Sequence, residues 1–288
     1  MRKTTMLRRA LEGDRPVRVV GANDAVTAIL AERHRFDALW ASGLGISTAH
    51  GIPDTSILTM TELLDAAMVM ERDSSLPVIA DCDTGFGGID NVVRMVRLYE
   101  RAGIAAVCIE DKQFPKRNSF LEGHELADPE EFSARVAAAK EAQSDPDFVV
   151  IARLESFIAG AGLDDALARA SDYAEAGADA ILVHSKAETP DEVIAFARRW
   201  RLLDRTPLVA VPTTYYRASA NMLSAAGYRM IIYANQALRA TIAAVDSALG
   251  SLAEKDSSAD LEPHVASIQD VFDLVRGSGF GSDRLVAR

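Results

Sequence analysis

Short apolar segments recur along the chain, and longer segments with a helical pattern separate them. Eight of the apolar segments have the length of strands, at residues 17–20, 38–41, 78–80, 105–109, 149–152, 180–183, 208–211 and 230–233. Continuously apolar strands, without polar alternation, are typical of a parallel sheet covered on both faces. Eight strand–helix units in a chain of 288 residues predict a (β/α)8 barrel, the TIM-barrel fold. An open, doubly wound sheet stays the alternative, because a strand count alone does not establish closure.

Three of the connections support this regularity, since each has a glycine between the end of a helical pattern and the next strand. The glycines are Gly103, Gly177 and Gly227. Each fits the left-handed position just past a helix C-terminus, where a missing Cβ removes the steric cost.

The pattern changes after about residue 236. Two further helical segments, "QALRATIAAVDSALGSLAEK" and "VASIQDVFDLVRG", follow, and the polar segment "DSSADLEPH" joins them. We expect residues 1–288 to form one barrel domain, with 236–288 as a C-terminal helical extension. The surplus helix either packs on a neighbouring subunit or covers its own barrel, and the sequence pattern does not decide between the two.

Charge and composition narrow the possible partners. The net charge of −11 argues against a nucleic acid or an anionic membrane surface as the partner. No apolar segment approaches the length of a membrane span, and the N-terminal segment lacks the apolar region of a signal peptide. Cys82 and Cys108 lie inside apolar segments without metal-ligand spacing, so we expect buried thiols in a reducing compartment. The expected location is cytoplasmic.

Acidic residues stand where two neighbouring strands end, at the barrel face on which active sites lie. Asp81 and Asp83 are two residues apart, so their side chains point the same way, and Glu110 ends the next strand. Carboxylates this close repel one another unless a cation lies between them. Hard oxygen ligands without His or Cys favour Mg²⁺, with Mn²⁺ possible. The alternative is that the acids simply pair with Lys112 and Arg153.

Further strand ends offer groups for an anion. Arg153 presents a guanidinium fork that suits a carboxylate or a phosphoryl group, and Glu155 is placed to hold it. A purely structural Arg–Glu pair has the same spacing. His184 ends another strand, although a lone histidine is more often a hydrogen-bonded structural residue. The turn "SGLG" at 42–45 offers backbone N–H groups to an anion, which alone is a weak signal.

The segment after Glu110 leaves its strand through "KQFPKRNS". Its basic and polar side chains, including Lys116, Asn118 and Ser119, would close over an anionic substrate and exclude water. The alternative is an ordinary solvated basic loop.

Several of these strings resemble the phosphoenolpyruvate mutases of the isocitrate lyase superfamily. They are "EDKQFPKRNS", "DCDTGFG", "WASGLGIS", "DFVVIARLESFIAG", "AGADAILVHSK" and "VPTTYY", and the resemblance covers roughly residues 15 to 275. It implies a (β/α)8 barrel whose terminal helix is swapped between subunits of a homodimer or homotetramer. The surplus helix would then be an oligomer contact.

The resemblance also implies roles for individual residues. Those implied near a Mg²⁺ ion are Asp81, Asp83 and Glu110, with Asp54 close by. Those implied around the pyruvoyl carboxylate are Trp40, Ser42, Gly43, Leu44 and Arg153. Those implied in the flap and at the moving phosphoryl group are Lys116, Asn118, Ser119 and His184.

The implied reaction interconverts phosphoenolpyruvate and phosphonopyruvate, with a phosphonopyruvate decarboxylase or a similar enzyme consuming the product. Phosphonopyruvate hydrolase is the alternative: such hydrolases typically carry Thr at the position of Asn118, yet "GIPDTSIL" at 51–58 is the more hydrolase-like string. The C–C lyases of the superfamily use a flap cysteine, and residues 109–288 contain none. Oxaloacetate hydrolases lack the "FPKxNS" flap. If the barrel only bound a metal and an anion without catalysis, we would expect at least one site residue to be missing. The three acids, the arginine and the basic flap residues are all present in the sequence.

Overall fold

The computed structural model describes residues 1–275 and shows a closed barrel of eight parallel strands that neighbour one another in chain order. The strands are β1 (Val17–Ala22), β2 (Ala38–Ala41), β3 (Val78–Asp81), β4 (Ala106–Glu110), β5 (Val149–Leu154), β6 (Ala180–Val183), β7 (Leu208–Ala210) and β8 (Tyr228–Tyr233). Because β8 pairs with β1, the open sheet is excluded and the predicted (β/α)8 barrel is confirmed.

Helices follow the strands and form the outer layer, and one further helix precedes the first strand and packs Leu7 and Leu11 against side chains inside the barrel. They are α1 (Lys3–Glu12), α2 (Ala25–Arg33), α3 (Gly43–Ala49), α4 (Met60–Asp73), α5 (Ile89–Arg101), α6 (Pro129–Ala142), α7 (Ser156–Ala159), α8 (Gly162–Glu175), α9 (Asp191–Trp200), α10 (Ala220–Ala226), α11 (Gln236–Lys255) and α12 (Ile268–Val275). A 3₁₀ turn, Glu262–His264, separates the last two. At the predicted helix ends Gly103, Gly177 and Gly227 have φ angles of +85°, +100° and +122°, which confirms their left-handed conformation.

The strands alternate between two apolar layers, one inside the barrel and one beneath the helices. In β4, Cys108 faces the interior, whereas Val107 and Ile109 pack against the helical layer. Cys82 belongs to the outer layer, and both thiols are buried, as expected from the sequence. Since both faces of each strand are covered, polar side chains reach solvent-accessible space mainly where the strands end.

The two C-terminal helices differ from the rest, because no residue of α11 or α12 is buried within residues 1–275. Val245 and Leu249 on α11 and Phe272 on α12 are large apolar side chains about half exposed in the single chain. The predicted oligomer contact over 236–288 stays a prediction, and its residues 276–288 lie outside the described part. No helix within residues 1–275 has the length and apolarity that a bilayer crossing requires.

Candidate active site at the mouth of the barrel

A cavity lies where the strands end. Its lining includes these residues singled out from the sequence: Trp40, Ser42, Leu44, Asp54, Asp81, Glu110, Lys116, Asn118, Ser119, Arg153 and His184. The other two, Gly43 and Asp83, lie directly behind the lining. The backbone N–H of Gly43 donates to Asp81 Oδ2 at 3.3 Å, and Asp83 contacts Lys116. The structure thus brings together side chains from loops and strands far apart in sequence.

The acids at the ends of β3 and β4 are almost completely removed from water. Asp81, Asp83 and Glu110 are all buried. Burial raises the pKa of each carboxyl group, since water no longer stabilises its charge; Lys116 opposes this at the two aspartates and Arg153 at Glu110. Such a site favours a nearby cation.

The ammonium group of Lys116 lies against two of the aspartates. Its Nζ lies 2.8 Å from Asp54 Oδ1 and 2.6 Å from Asp83 Oδ1. Although burial opposes the charge of Lys116, the carboxylates of Asp83, Asp81 and Asp54 together raise its pKa well above the ordinary value. Lys116 therefore joins the flap to the acidic strand ends.

The acids at the strand ends were expected from the sequence to bind a metal ion. Within residues 1–275, no group of three or more His, Cys, Asp or Glu side chains is arranged so that it could hold a metal ion. The expectation that Asp81, Asp83 and Glu110 lie around one metal ion stays a prediction. In this arrangement the Lys116 ammonium relieves the repulsion at Asp83.

The chemistry of the donors nevertheless fits a divalent ion held by few direct protein ligands. Glu110 Oε1 is buried and accepts no hydrogen bond from the described residues, and Lys112 Nζ is 3.6 Å away. A Cβ on Gly43 would lie 3.1 Å from Asp81 Oδ2, so glycine keeps this oxygen uncrowded. Mg²⁺ usually binds one or two carboxylates and keeps several waters, which suits these acids.

Glu155 is the centre of a second charged cluster, beyond the end of β5. Arg153 Nε donates to its Oε1, Lys112 Nζ lies 3.2 Å from its Oε2, and Ser119 Oγ donates to Oε2 at 3.1 Å. Despite complete burial, Arg153, His184 and Lys112 hold the pKa of Glu155 well below its ordinary value. The pairing of Arg153 with Glu155 proposed from their spacing is present, and it also includes the flap.

His184 lies between the partners of this cluster. Its Nδ1 is 2.8 Å from both Glu155 Oε1 and Arg153 Nη2. Burial lowers the pKa of His184, so the neutral imidazole is favoured. The tautomer with its proton on Nδ1 donates to Glu155, and the other tautomer accepts from Arg153.

The segment 113–126, here called the flap, closes over the cavity. Lys116 and Ser119 are buried, and Asn118 Nδ2 donates to Asp54 Oδ2 at 3.1 Å. Arg117 is exposed and donates to the carbonyl of Glu122 instead. The solvated-loop alternative therefore fails for Lys116 and Ser119, although it describes Arg117.

Some residues of the site were missed by sequence reasoning. Ser56 accepts the backbone N–H of Lys116 at 3.2 Å and donates to Asp83 Oδ2 at 3.1 Å, and no local pattern marks it. Leu182 and Val211 form part of the apolar wall. Leu182 was open to prediction, because it stands two residues before His184 and thus faces the same side of its strand.

The fold and the site define a (β/α)8-barrel enzyme with a carboxylate-rich and arginine-containing pocket beneath a flap. The family model described as phosphoenolpyruvate phosphomutase matches residues 7–253, and the chain belongs to this family. A phosphoenolpyruvate phosphomutase of Tetrahymena pyriformis is 40% identical over 275 residues, which cover 95% of this chain and 91% of that protein.

Solved structures with the same fold include relatives with two different activities. The crystal structure of phosphoenolpyruvate phosphomutase from Streptomyces platensis subsp. rosaceus has a TM-score of 0.92 and 51% identity, covering 94% of each chain. A phosphonopyruvate hydrolase in complex with oxalate and Mg²⁺ has a TM-score of 0.90 and 39% identity, covering 95% of each chain.

Proposed function

We propose that this chain is a phosphoenolpyruvate mutase, which interconverts phosphoenolpyruvate and phosphonopyruvate. The observation that carries the proposal is the closed flap: Asn118 bonds to Asp54 above a pocket that contains both the acids and Arg153. An enzyme that moves a phosphoryl group within one molecule must keep water, the competing acceptor, away from it. The names of the similar phosphomutases support the same reaction.

A divalent ion fits the acidic side of this pocket. Asp81 and Glu110 would hold it, with Asp83 and Asp54 as outer partners; Mg²⁺ is favoured by the oxalate and Mg²⁺ complex of the similar hydrolase, and Mn²⁺ is the alternative. When bound, such an ion supplies positive charge that stabilises negative charge on the oxygens of the substrate.

The substrate carboxylate would bind on the side of Arg153. Its guanidinium group can donate in pairs to a carboxylate, and Glu155 fixes its orientation through Nε. Ser42, Gly43 and Leu44, where α3 begins, would supply hydroxyl and backbone N–H donors, with Trp40 as part of the wall. Held this way, the three-carbon unit would present its enol oxygen and its methylene carbon to the same phosphorus.

The reaction breaks the O–P bond of phosphoenolpyruvate and forms a C–P bond at the methylene carbon. Because the transferring group is loosely bound at the transition state, the protein mainly has to position it and stabilise its charge. Asn118 and His184 would donate to phosphoryl oxygens, while Lys116 and Ser119 keep the flap closed. No side chain has to act as a nucleophile in this scheme.

Phosphonopyruvate hydrolase is the second candidate, since a hydrolase matches the chain at 39% identity over nearly its full length. Asn118, where hydrolases typically carry threonine, favours the mutase. The decisive experiment is ³¹P NMR of the purified protein with Mg²⁺ and phosphonopyruvate. Phosphoenolpyruvate as product supports the mutase, whereas inorganic phosphate refutes it. An Arg153→Lys variant controls for contaminating enzymes, because its turnover should fall sharply and a contaminant's would not.

The oligomer and the metabolic partner are also proposals. The exposed apolar side chains of α11 and α12 support packing against a second copy of the chain, in a homodimer or homotetramer. Because formation of the C–P bond is unfavourable, an enzyme that consumes phosphonopyruvate, such as a decarboxylase, would have to remove the product. The cytoplasmic location stays a prediction.

A further inference from the structure

A buried polar cluster lies behind the candidate site, between the barrel wall and α8. It consists of Asp111, Arg169 and Tyr173, here called the outer clamp. Asp111 Oδ2 accepts from the hydroxyl of Tyr173 at 2.8 Å, with Arg169 Nη1 3.5 Å away. Asp111 and Tyr173 are completely buried. None of the three side chains lines the cavity, so the proposed reaction does not use them directly.

The outer clamp holds the backbone of Glu155. Asp111 Oδ1 accepts the N–H of Glu155 at 2.8 Å, while the Glu155 carboxylate on the other side binds Ser119 of the flap. Asp111 therefore fixes the residue on which the second charged cluster is centred. A displacement of its backbone would move the contacts to Arg153 and His184 as well.

The outer clamp also holds both ends of the flap together. The Asp111 carbonyl accepts the N–H of Ala127 at 2.8 Å, and the Ala127 carbonyl accepts from Arg169 Nη1 at 2.9 Å. A β-bridge between Lys112 and Leu126 lies immediately next to these bonds. The two points where the flap leaves and rejoins the barrel therefore meet at one set of buried hydrogen bonds.

We infer that the outer clamp is a positioning element, which sets the closed geometry of the flap and of Glu155 from outside the pocket. Burying a carboxylate, a guanidinium group and a phenol is costly unless they are mutually bonded, and apolar residues would fill the same space at lower cost. What the polar groups add is directional fixation of two backbone segments. The effect on turnover rests on the proposed function, whereas the effect on the flap does not.

The test is hydrogen exchange of a peptide covering residues 113–127 in Tyr173→Phe. This change removes one hydroxyl, which donates to Asp111 at 2.8 Å and accepts from Arg169 Nη1 at 3.1 Å. Tyr228→Phe is the matched control, because Tyr228 is equally buried and donates one 2.8 Å bond to the carbonyl of Val193, away from the site. We expect exchange in the flap to become about fivefold faster or more in Tyr173→Phe, since at least one buried hydrogen bond of the clamp is lost. In Tyr228→Phe exchange in the flap should stay within about twofold, because the hydrogen bond that is lost lies away from the flap.

The variants Arg169→Met and Arg169→Lys provide an independent test of the outer clamp. Methionine keeps much of the side-chain length and removes the hydrogen-bond donors, so flap exchange should rise and kcat should fall, with Mg²⁺ affinity unchanged. Lysine should partly restore both the slow flap exchange and kcat.

Unchanged flap exchange in Tyr173→Phe, or equal acceleration in the Tyr228→Phe control, would overturn the inference. If the wild-type protein turned over neither phosphonopyruvate nor phosphoenolpyruvate, the proposed function would fail, and the exchange results would still decide the role of the clamp. If Arg169→Met failed to fold, the two tyrosine variants would decide alone.

Discussion

Replacing Glu155 by glutamine tests the charge balance of the site. The side chain is completely buried and contacts Arg153, Lys112 and His184. Removing one partner of a buried ion pair costs about 3–5 kcal/mol. Arg153 and Lys112 keep Glu110 as a partner, at 3.4 and 3.6 Å, so we expect the lower end of that range. The free energy of unfolding should therefore fall by about 3 kcal/mol.

The assay is urea unfolding at pH 7, with Asp164→Asn as the control. Asp164 pairs with Arg199 on the surface, with the two side chains 86% and 55% exposed, so its loss should cost less than about 1 kcal/mol. Equal losses in the two variants would refute the importance of the buried cluster. Turnover should also fall in Glu155→Gln alone, because the amide keeps one acceptor oxygen and can no longer accept from both Arg153 and Ser119 in their present positions.

The stability difference between wild type and Glu155→Gln should depend on pH in a defined direction. The folded-state pKa of Glu155 lies well below its ordinary value of 4.5, so its charge stabilises the fold fully above that value. As the pH falls below 4.5 towards the folded-state pKa, the unfolded chain takes up the proton first and the wild-type advantage declines. A stability difference between wild type and Glu155→Gln that grew on acidification would contradict this assignment.

Three further predictions concern the metal, the flap and the oligomer. Asp81→Ala should weaken Mg²⁺ binding by about tenfold or more in calorimetric titration, and unchanged affinity would remove Asp81 from the proposed ion site. Asn118→Ala should lower kcat by about 10²–10³-fold with little change in Mg²⁺ affinity, as the loss of one donor to a transferring group predicts; normal kinetics would exclude the role. Val245→Glu combined with Leu249→Glu should reduce the mass measured by light scattering, since charges would enter an apolar contact, and an unchanged mass would place the oligomer contact elsewhere.

The barrel was predictable because its strands are buried on both faces. Such strands are continuously apolar, and the observed bounds of β2 and β6 are those read from the sequence. The position of the acids at 81 and 110 was equally predictable, since the fold brings polar strand ends to one face. The pairing of β8 with β1 was not predicted, because no local sequence pattern indicates which strands pair across the chain.

The arrangement inside the site was less predictable. The position of Lys116 between Asp54 and Asp83 depends on the path of a flap, which no hydrophobic period describes. A spacing of two residues likewise indicated a common direction for Asp81 and Asp83 without revealing the ammonium against Asp83. The contact between Asp111 and Tyr173 joins residues 62 positions apart, so only the folded chain brings them together.

The claim that the phosphoryl group moves without meeting water can be measured in ¹⁸O-labelled water. Phosphonopyruvate and Mg²⁺ are incubated with the protein, and the isotope shift of the ³¹P signals reports solvent oxygen bound to phosphorus. We predict phosphoenolpyruvate whose three non-bridging phosphoryl oxygens carry no ¹⁸O, since only the bridging oxygen derives from the ketone, which exchanges with water independently. Inorganic phosphate carrying one ¹⁸O atom would contradict the proposed mutase and identify water as the acceptor.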